Sequence, residues 1–230
     1  MTLGEAFIEG FVKRFVKDGY VLGIGAGEHD EAFLKKIAVF VTERGMNISV
    51  VPSSIDIANM LARLGLPIAS INDREIDLAI EFVDLVDQEF NYIKRDSSSL
   101  VRDKMVGQSA AELIVLTEKK NYVKTLRGTI PFEICPFGWK HSLVRLDEFG
   151  KATIREKPNG EFVQTETGNY LVDVDIDEIY SLEDLEFDAK EVPGVLESGL
   201  FLHYADRIIL HNGRVEMKSR IGPELAPEQQ

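Results

Sequence analysis

Cysteine is nearly absent from this 230-residue chain, where Cys135 stands alone. One thiol makes neither an intramolecular disulfide nor a cysteine-based zinc site. Histidine is scarce as well: the four residues are scattered with no ligand-like pair, so no structural metal is expected. Basic residues are outnumbered, 26 Lys and Arg against 39 Asp and Glu, which gives a net charge of −13. Such a surface repels phosphodiester backbones and anionic lipid, and neither nucleic acid nor a membrane is an expected partner. No apolar run approaches the ~20 residues of a membrane span. Glu5, Glu9, Lys13 and Arg14 interrupt the opening apolar positions and leave no signal-peptide core, so a cytoplasmic protein is expected.

What is present suits a globular core: 44% of the residues are hydrophobic. Phe7, Ile8, Phe11, Val12, Phe15 and Val16 recur at helical spacing and predict an amphipathic first helix. Tyr20 to Ile24 reads as a buried strand that runs through Gly25-Ala26-Gly27 into a helix over 30–37. Ile48 to Val51, Ile68 to Ser70, Ile76 to Phe82 and Glu112 to Leu116 read as further strands or apolar runs, with helices over 55–64 and 98–109 between them. Strands alternating with helices predict a parallel sheet covered on both faces.

From about Gly128 the pattern changes. Ile130 to Cys135 reads as a strand, Trp139 to Phe149 as a helix, and Thr153 to Thr165 as a hairpin turning at Asn159-Gly160. A strand over 169–174 and a helix over 182–190 complete a β-α-β-β-α-β order. Asp206 to Leu210 returns as a strand and turns at Asn212-Gly213 into 214–218. The expected fold is therefore α/β, a Rossmann-like doubly wound parallel sheet with an inserted small α+β, ferredoxin-like subdomain. Residues 1–127 and 200–220 would form the main domain, 128–199 the insertion, and 221–230 a tail.

Two clusters could carry chemistry. Gly23, Gly25 and Gly27 close a strand and open a helix, where backbone amides can hold an anion or where small residues simply permit a tight turn. Glu81, Asp84, Lys94 and Asp103 lie within one strand-to-helix crossover. They could face the crevice at the carboxyl end of the sheet, or they could be a solvated charged loop.

The chain resembles ribose-5-phosphate isomerase of the A type from its first helix to about residue 218. The likeness rests on Val21-Leu22-Gly23-Ile24-Gly25-Ala26-Gly27, Pro52-Ser53-Ser54, Ile93-Lys94, Leu100-Val101-Arg102-Asp103-Lys104 and Ile130-Pro131-Phe132-Glu133-Ile134-Cys135-Pro136-Phe137. Gly168-Asn169-Tyr170-Leu171-Val172-Asp173, Pro193-Gly194-Val195, Gly199-Leu200-Phe201 and Ala205-Asp206 add to it.

The resemblance implies interconversion of an aldose phosphate and a ketose phosphate through an enediolate, with no metal and no organic cofactor. It implies Asp103 as the carboxylate that moves the carbon-bound proton, Glu81 and Asp84 as its assistants, and Lys94 as the cation beside the enediolate oxygen. Gly25, Gly27, Ser53, Ser54 and Lys120 are implied on the substrate and its phosphate, and a homodimer or homotetramer is the implied assembly.

Departures from the family pattern concentrate at these positions. Asp103 stands for Glu, and Glu81-Phe82-Val83-Asp84-Leu85 stands for Asp-Gly-Ala-Asp-Glu. Phe82 is expected to fill part of the crevice. Arg95-Asp96-Ser97-Ser98-Ser99 replaces a glycine run, so positive φ and close amide contacts are expected to be lost there. Glu28 and His29 follow Gly27 where the family has hydroxyl donors, and an acid at that point would repel phosphate. Thr117-Glu118-Lys119-Lys120-Asn121 offsets or replaces the family's lysine, with Lys119 and Lys120 as the alternative stand-ins. On the residues alone, a relative that binds another ligand without catalysis, or an isomerase of a different sugar, stays open.

Overall fold

Four consecutive apolar or glycine positions, all buried, mark β1 as a central strand of a parallel sheet, where helices cover both faces and alternation disappears. The computed structural model describes residues 5–27, 30–211 and 215–222. Within them run α1 (Glu5–Phe15), β1 (Val21–Ile24), α2 (Asp30–Arg44), β2 (Ser49–Pro52), α3 (Ile55–Leu64) and β3 (Leu78–Phe82). The two-residue strands β4 (Leu85–Val86) and β5 (Tyr92–Ile93) precede α4 (Leu100–Gln108) and β6 (Leu113–Glu118). Then follow β7 (Gly128–Ile134), α5 (Trp139–Leu146), β8 (Lys151–Ile154), β9 (Tyr170–Ile176), α6 (Leu182–Lys190) and β10 (Val195–Ser198). The chain continues through β11 (Leu200–Phe201), β12 (Arg207–His211) and β13 (Val215–Ser219).

The main sheet has the order β13-β12-β6-β3-β1-β2, parallel except for the antiparallel edge pair β12/β13. The chain leaves β1 for β2 on one side and returns to β3 on the other, so strand order reverses between β1 and β3. In open α/β sheets that reversal is where loops part and ligands bind.

Period-2 alternation divides β3 between two cores. Leu78, Ile80 and Phe82 pack with α1, α2 and α3 on one face, while Ala79 and Val83 pack with α4 and Tyr92 on the other. Helix α3 has the ends its sequence predicts: Ser54 accepts from the Ile57 amide, and Gly65 follows in the left-handed region at φ 69°.

A second, antiparallel sheet has the order β10-β7-β9-β8, the arrangement expected of a β-α-β-β-α-β unit. Its own core includes Phe132, Ile134, Leu146, Val172, Val174 and Ala189. A small third sheet, β11-β5-β4, lies in the chain's passage between the other two. Ile93 and Leu200 pair in it and both belong to the core of the second sheet.

Some expected elements changed. The run at 68–70 contributes only a bridge between Ile68 and Val50, and α2 continues to Arg44 because Phe40 and Val41 keep its buried face going. The hairpin at 153–165 is reduced to a bridge between Glu156 and Phe162, since β8 pairs with β9 instead. Cys135, placed in an apolar strand on sequence, lies just past β7 and is half-buried. The turn at Asn212-Gly213 lies outside the described residues.

Candidate active site

Three ionisable side chains meet at the carboxyl end of the main sheet. Glu81 occupies the β3 face opposite Phe82, Lys94 follows β5, and Asp103 lies in the first turn of α4. The Lys94 ammonium is bonded to Glu81 Oε2 and lies 3.1 Å from Asp103 Oδ2. Lys94 and Glu81 are fully buried and Asp103 is 1% exposed. Backbone bonds hold the frame: Lys94 N donates to Gly199 O at 2.9 Å, and Gly25 N to Ile80 O at 2.9 Å.

Gly25 makes room for the longer acid. A Cβ there would overlap the Glu81 carboxylate, so the strand-to-helix turn after β1 accepts Glu81 only because residue 25 has no side chain. Gly27 is spared a side chain for a different reason, since a Cβ on it would meet the Phe82 Cβ.

Burial raises the Glu81 carboxyl to about 8, although Lys94 pulls the other way; the nearby Asp103 carboxylate adds to the rise. For Lys94, burial favours the neutral amine, yet the Asp103 and Glu81 carboxylates outweigh it and hold the ammonium above its ordinary range. At neutral pH the cluster therefore holds a charged lysine and a glutamic acid that still carries its proton. Glu81 Oε1 and the Tyr92 hydroxyl are buried and find no partner among the described residues.

The loop from Lys94 to Ser99 is held by side chains. Asp84 Oδ2 accepts from Arg95 N at 2.6 Å, and the Arg95 guanidinium donates to Thr129 O at 2.8 Å and Arg127 O at 3.1 Å. Arg155 donates to Arg95 O at 3.2 Å. Ser97 Oγ donates to Asp103 Oδ2 at 2.6 Å, and Ser99 caps α4 by accepting from Arg102 N. Among the described non-glycine residues only Phe90 and His203 have positive φ, so the 95–99 loop needs no glycine conformation.

Behind α4 lies Glu133, a fully buried acid of β7. It accepts from Ser99 Oγ at 3.1 Å, Val101 N at 3.1 Å, Thr165 Oγ1 at 2.8 Å, Asn169 Nδ2 at 2.9 Å and also from Thr167 Oγ1. The carboxylate thereby joins β7 to the N-terminus of the helix that carries Asp103.

Residues 49–214 match the family model described as ribose 5-phosphate isomerase A (phosphoriboisomerase A). The chain belongs to the ribose 5-phosphate isomerase A family. It is 36% identical over 199 residues to the ribose-5-phosphate isomerase A of Listeria innocua, covering 85% of this chain and 88% of that one. The Listeria monocytogenes protein of the same name is 33% identical over 209 residues, with 89% and 93% covered. Among solved structures, a D-ribose-5-phosphate isomerase in complex with phospho-erythronic acid superposes with a TM-score of 0.87 at 29% identity, covering 93% of this chain and 96% of its own. The Methanocaldococcus jannaschii ribose 5-phosphate isomerase A gives 0.86 at 25% identity over the same shares.

Within this family member, the expected residues are distributed unevenly. Glu81, Lys94 and Asp103 converge, while Asp84 is spent on the Arg95 amide. Gly25 adjoins Glu81, and Ser53, whose amide donates to Ile24 O at 3.0 Å, keeps a buried hydroxyl with no partner among the described residues. Ser54 is engaged as the α3 cap. Lys120 lies in a short 3-10 turn after β6, at the same end of the sheet, paired with Glu118 at 2.7 Å.

One sequence expectation fails. Phe82 does not enter the crevice: its ring packs edge-on against Phe33, 5.8 Å between centroids, on the far face of the sheet. At the replaced glycine run, Arg95 to Ser99 have no positive φ, in line with the loss of that conformation expected from the sequence. Glu28 and His29 lie outside the described residues. Nothing in the sequence marks Ser97 as a site residue, whereas Glu133 is marked as an acid inside the apolar run 130–134.

Proposed function

We propose that this chain interconverts ribose 5-phosphate and ribulose 5-phosphate through an enediolate, with Asp103 as the proton-transferring carboxylate. The observation that carries the reading is the Lys94 ammonium held between Glu81 and Asp103 in a water-excluded layer. In the open-chain aldose, Asp103 takes the C2 proton, the C2–H pair becomes the C1–C2 double bond, and the carbonyl pair moves onto O1. Asp103 then returns the proton to C1 as Glu81 gives its proton to O1 and takes the one leaving O2, so that O1 becomes the hydroxyl and O2 the ketone. Lys94 stabilises the developing oxyanion, and a low-dielectric setting strengthens that contribution. Glu81, still protonated near neutral pH, is suited to exchanging hydroxyl protons, and Asp84, whose Oδ2 accepts from Arg95 N, holds the loop after Lys94.

Because Lys94 and Glu81 are fully buried, substrate entry requires the layer above them to open. Gly25, Gly27, Ser53 and Ser54 stand at the mouth of β1 and β2, and Lys120 supplies a cation at the same sheet end for the phosphate. The described residues hold no His/Cys/Asp/Glu group of metal-binding kind, and the proposed chemistry calls for none.

The antiparallel unit over 128–199 is read as an inserted subdomain with a second role, self-association. Phe137 is 92% exposed and Tyr180 91%, and Val144 and Phe187 are exposed on the same unit's helices, an apolar surface suited to a homodimer or homotetramer. Among the described residues no helix is long and apolar enough to cross a membrane, and a cytoplasmic setting completes the reading.

The test is direct. Purified protein is given ribose 5-phosphate and, separately, unphosphorylated ribose, and ketose formation is followed. Conversion of the phosphorylated sugar is expected; conversion of ribose alone would instead favour an isomerase of unphosphorylated sugars.

A further inference from the structure

The acid assigned to the proton transfer is an aspartate, and a short acid needs help to stay aimed. Asp103 Oδ2 receives two donors, Ser97 Oγ at 2.6 Å and Lys94 Nζ at 3.1 Å. Among the described residues, no donor reaches Oδ1. Ser97 is itself fixed: its oxygen accepts from Ser99 N at 3.1 Å, which leaves its one hydrogen for Asp103. The residue is buried, so water does not compete for that bond.

We propose that Ser97 is a positioning residue for the proton transfer: its hydroxyl and the Lys94 ammonium together clamp Asp103 Oδ2, leaving Oδ1 to take and return the carbon-bound proton. The assignment rests on the isomerase reading above. With Lys94 alone, the carboxylate could swing about that single contact; with two donors on one oxygen, its plane and its free oxygen are set. A reacting oxygen displaced by ~1 Å costs on the order of 100-fold in rate. Ser97 belongs to the loop that departs from the family's glycine run, and Asp103 departs from the family's glutamate. The two changes meet in a single hydrogen bond.

The experiment compares wild type with Ser97→Ala, Ser97→Thr, Asp103→Glu and the double variant Asp103→Glu/Ser97→Gly, using ribose 5-phosphate with hydrogen or deuterium at C2. Ser97→Ala is expected to lower kcat by about 10- to 100-fold with KM within about threefold, and to keep a full deuterium isotope effect. Ser97→Thr, which retains the hydroxyl, should recover most of the rate. A glutamate would carry its carboxylate about one methylene beyond the 2.6 Å contact that Ser97 Oγ makes with Asp103, so the double variant should exceed Asp103→Glu alone by about tenfold or more.

A Ser97→Ala kcat within about twofold of wild type, a change confined to KM, or losses that simply multiply in the double variant would each overturn the assignment. Should Ser97→Ala fail to fold, the comparison of Asp103→Glu with the double variant decides alone. A wild type without turnover sinks the isomerase reading and this assignment together, whereas an active wild type with an unaffected Ser97→Ala sinks the assignment only.

Discussion

Gly25 faces the Glu81 carboxylate so closely that a Cβ on residue 25 would occupy the same space. Gly25→Ala is therefore expected to drive Glu81 off Lys94 and lower kcat/KM by about 100-fold or more, since small displacements in such sites are costly. Glu81→Asp withdraws the carboxylate by one methylene, so the double variant Gly25→Ala/Glu81→Asp should outperform Gly25→Ala alone. Steady-state kinetics on the three variants check this, and a double variant no better than Gly25→Ala would refute the steric account.

A pH dependence of stability follows from Glu81. Burial raises its carboxyl to about 8 from an ordinary value of 4.5, so between these values the folded chain holds a proton that the unfolded chain has released. Its contribution is complete below about 4.5 and is lost as pH rises through about 8. The Lys94 contribution, from a group raised above its ordinary 10.5, is intact throughout that window. Unfolding free energies from denaturation should fall across the window in wild type, by a few kcal/mol at most, and Glu81→Gln should flatten the slope. Parallel slopes in the two proteins would contradict the assignment of the proton to Glu81.

Glu133 offers a test of how α4 is anchored. Glu133→Ala leaves the hydroxyls of Ser99, Thr165 and Thr167, the Asn169 amide and the Val101 N–H without their shared acceptor. Unfolding free energy is expected to fall by ~3 kcal/mol or more, read from urea denaturation. A loss under ~1 kcal/mol would show that the donors find other partners.

The Lys120–Glu118 pair tests the phosphate end. Lys120 is largely exposed, and surface pairs contribute little to stability, so Lys120→Ala should leave the melting temperature nearly unchanged. If Lys120 meets the phosphate, KM for ribose 5-phosphate rises about 3- to 10-fold with kcat preserved. An unchanged KM would remove Lys120 from the binding residues.

Much of this site is legible in the sequence, and what is not has physical reasons. Helix α3 is readable at both ends because Ser54 and Gly65 mark them chemically. Strands β4, β5 and β11 are not, because two residues carry no period, yet β5 is what delivers Lys94. The position of Phe82 was available in principle: adjacent residues of a strand face opposite ways, so placing Glu81 in the crevice already sends Phe82 to the other core. The Ser97–Asp103 bond could not be read, since it depends on how the 95–99 loop turns in space. Nor does spacing show that the lengthened Glu81 and the shortened Asp103 still meet on one ammonium.

The central claim is that Asp103 moves the proton between C2 and C1 of ribose 5-phosphate. Its most direct test is turnover in deuterated water, with deuterium followed into the sugar carbons, for wild type and Asp103→Asn. Wild type should form ribulose 5-phosphate and exchange at carbon, and a folded Asp103→Asn should lose both by about 1,000-fold or more. Wild type at background, or an Asp103→Asn that exchanges as fast as wild type, would contradict the account.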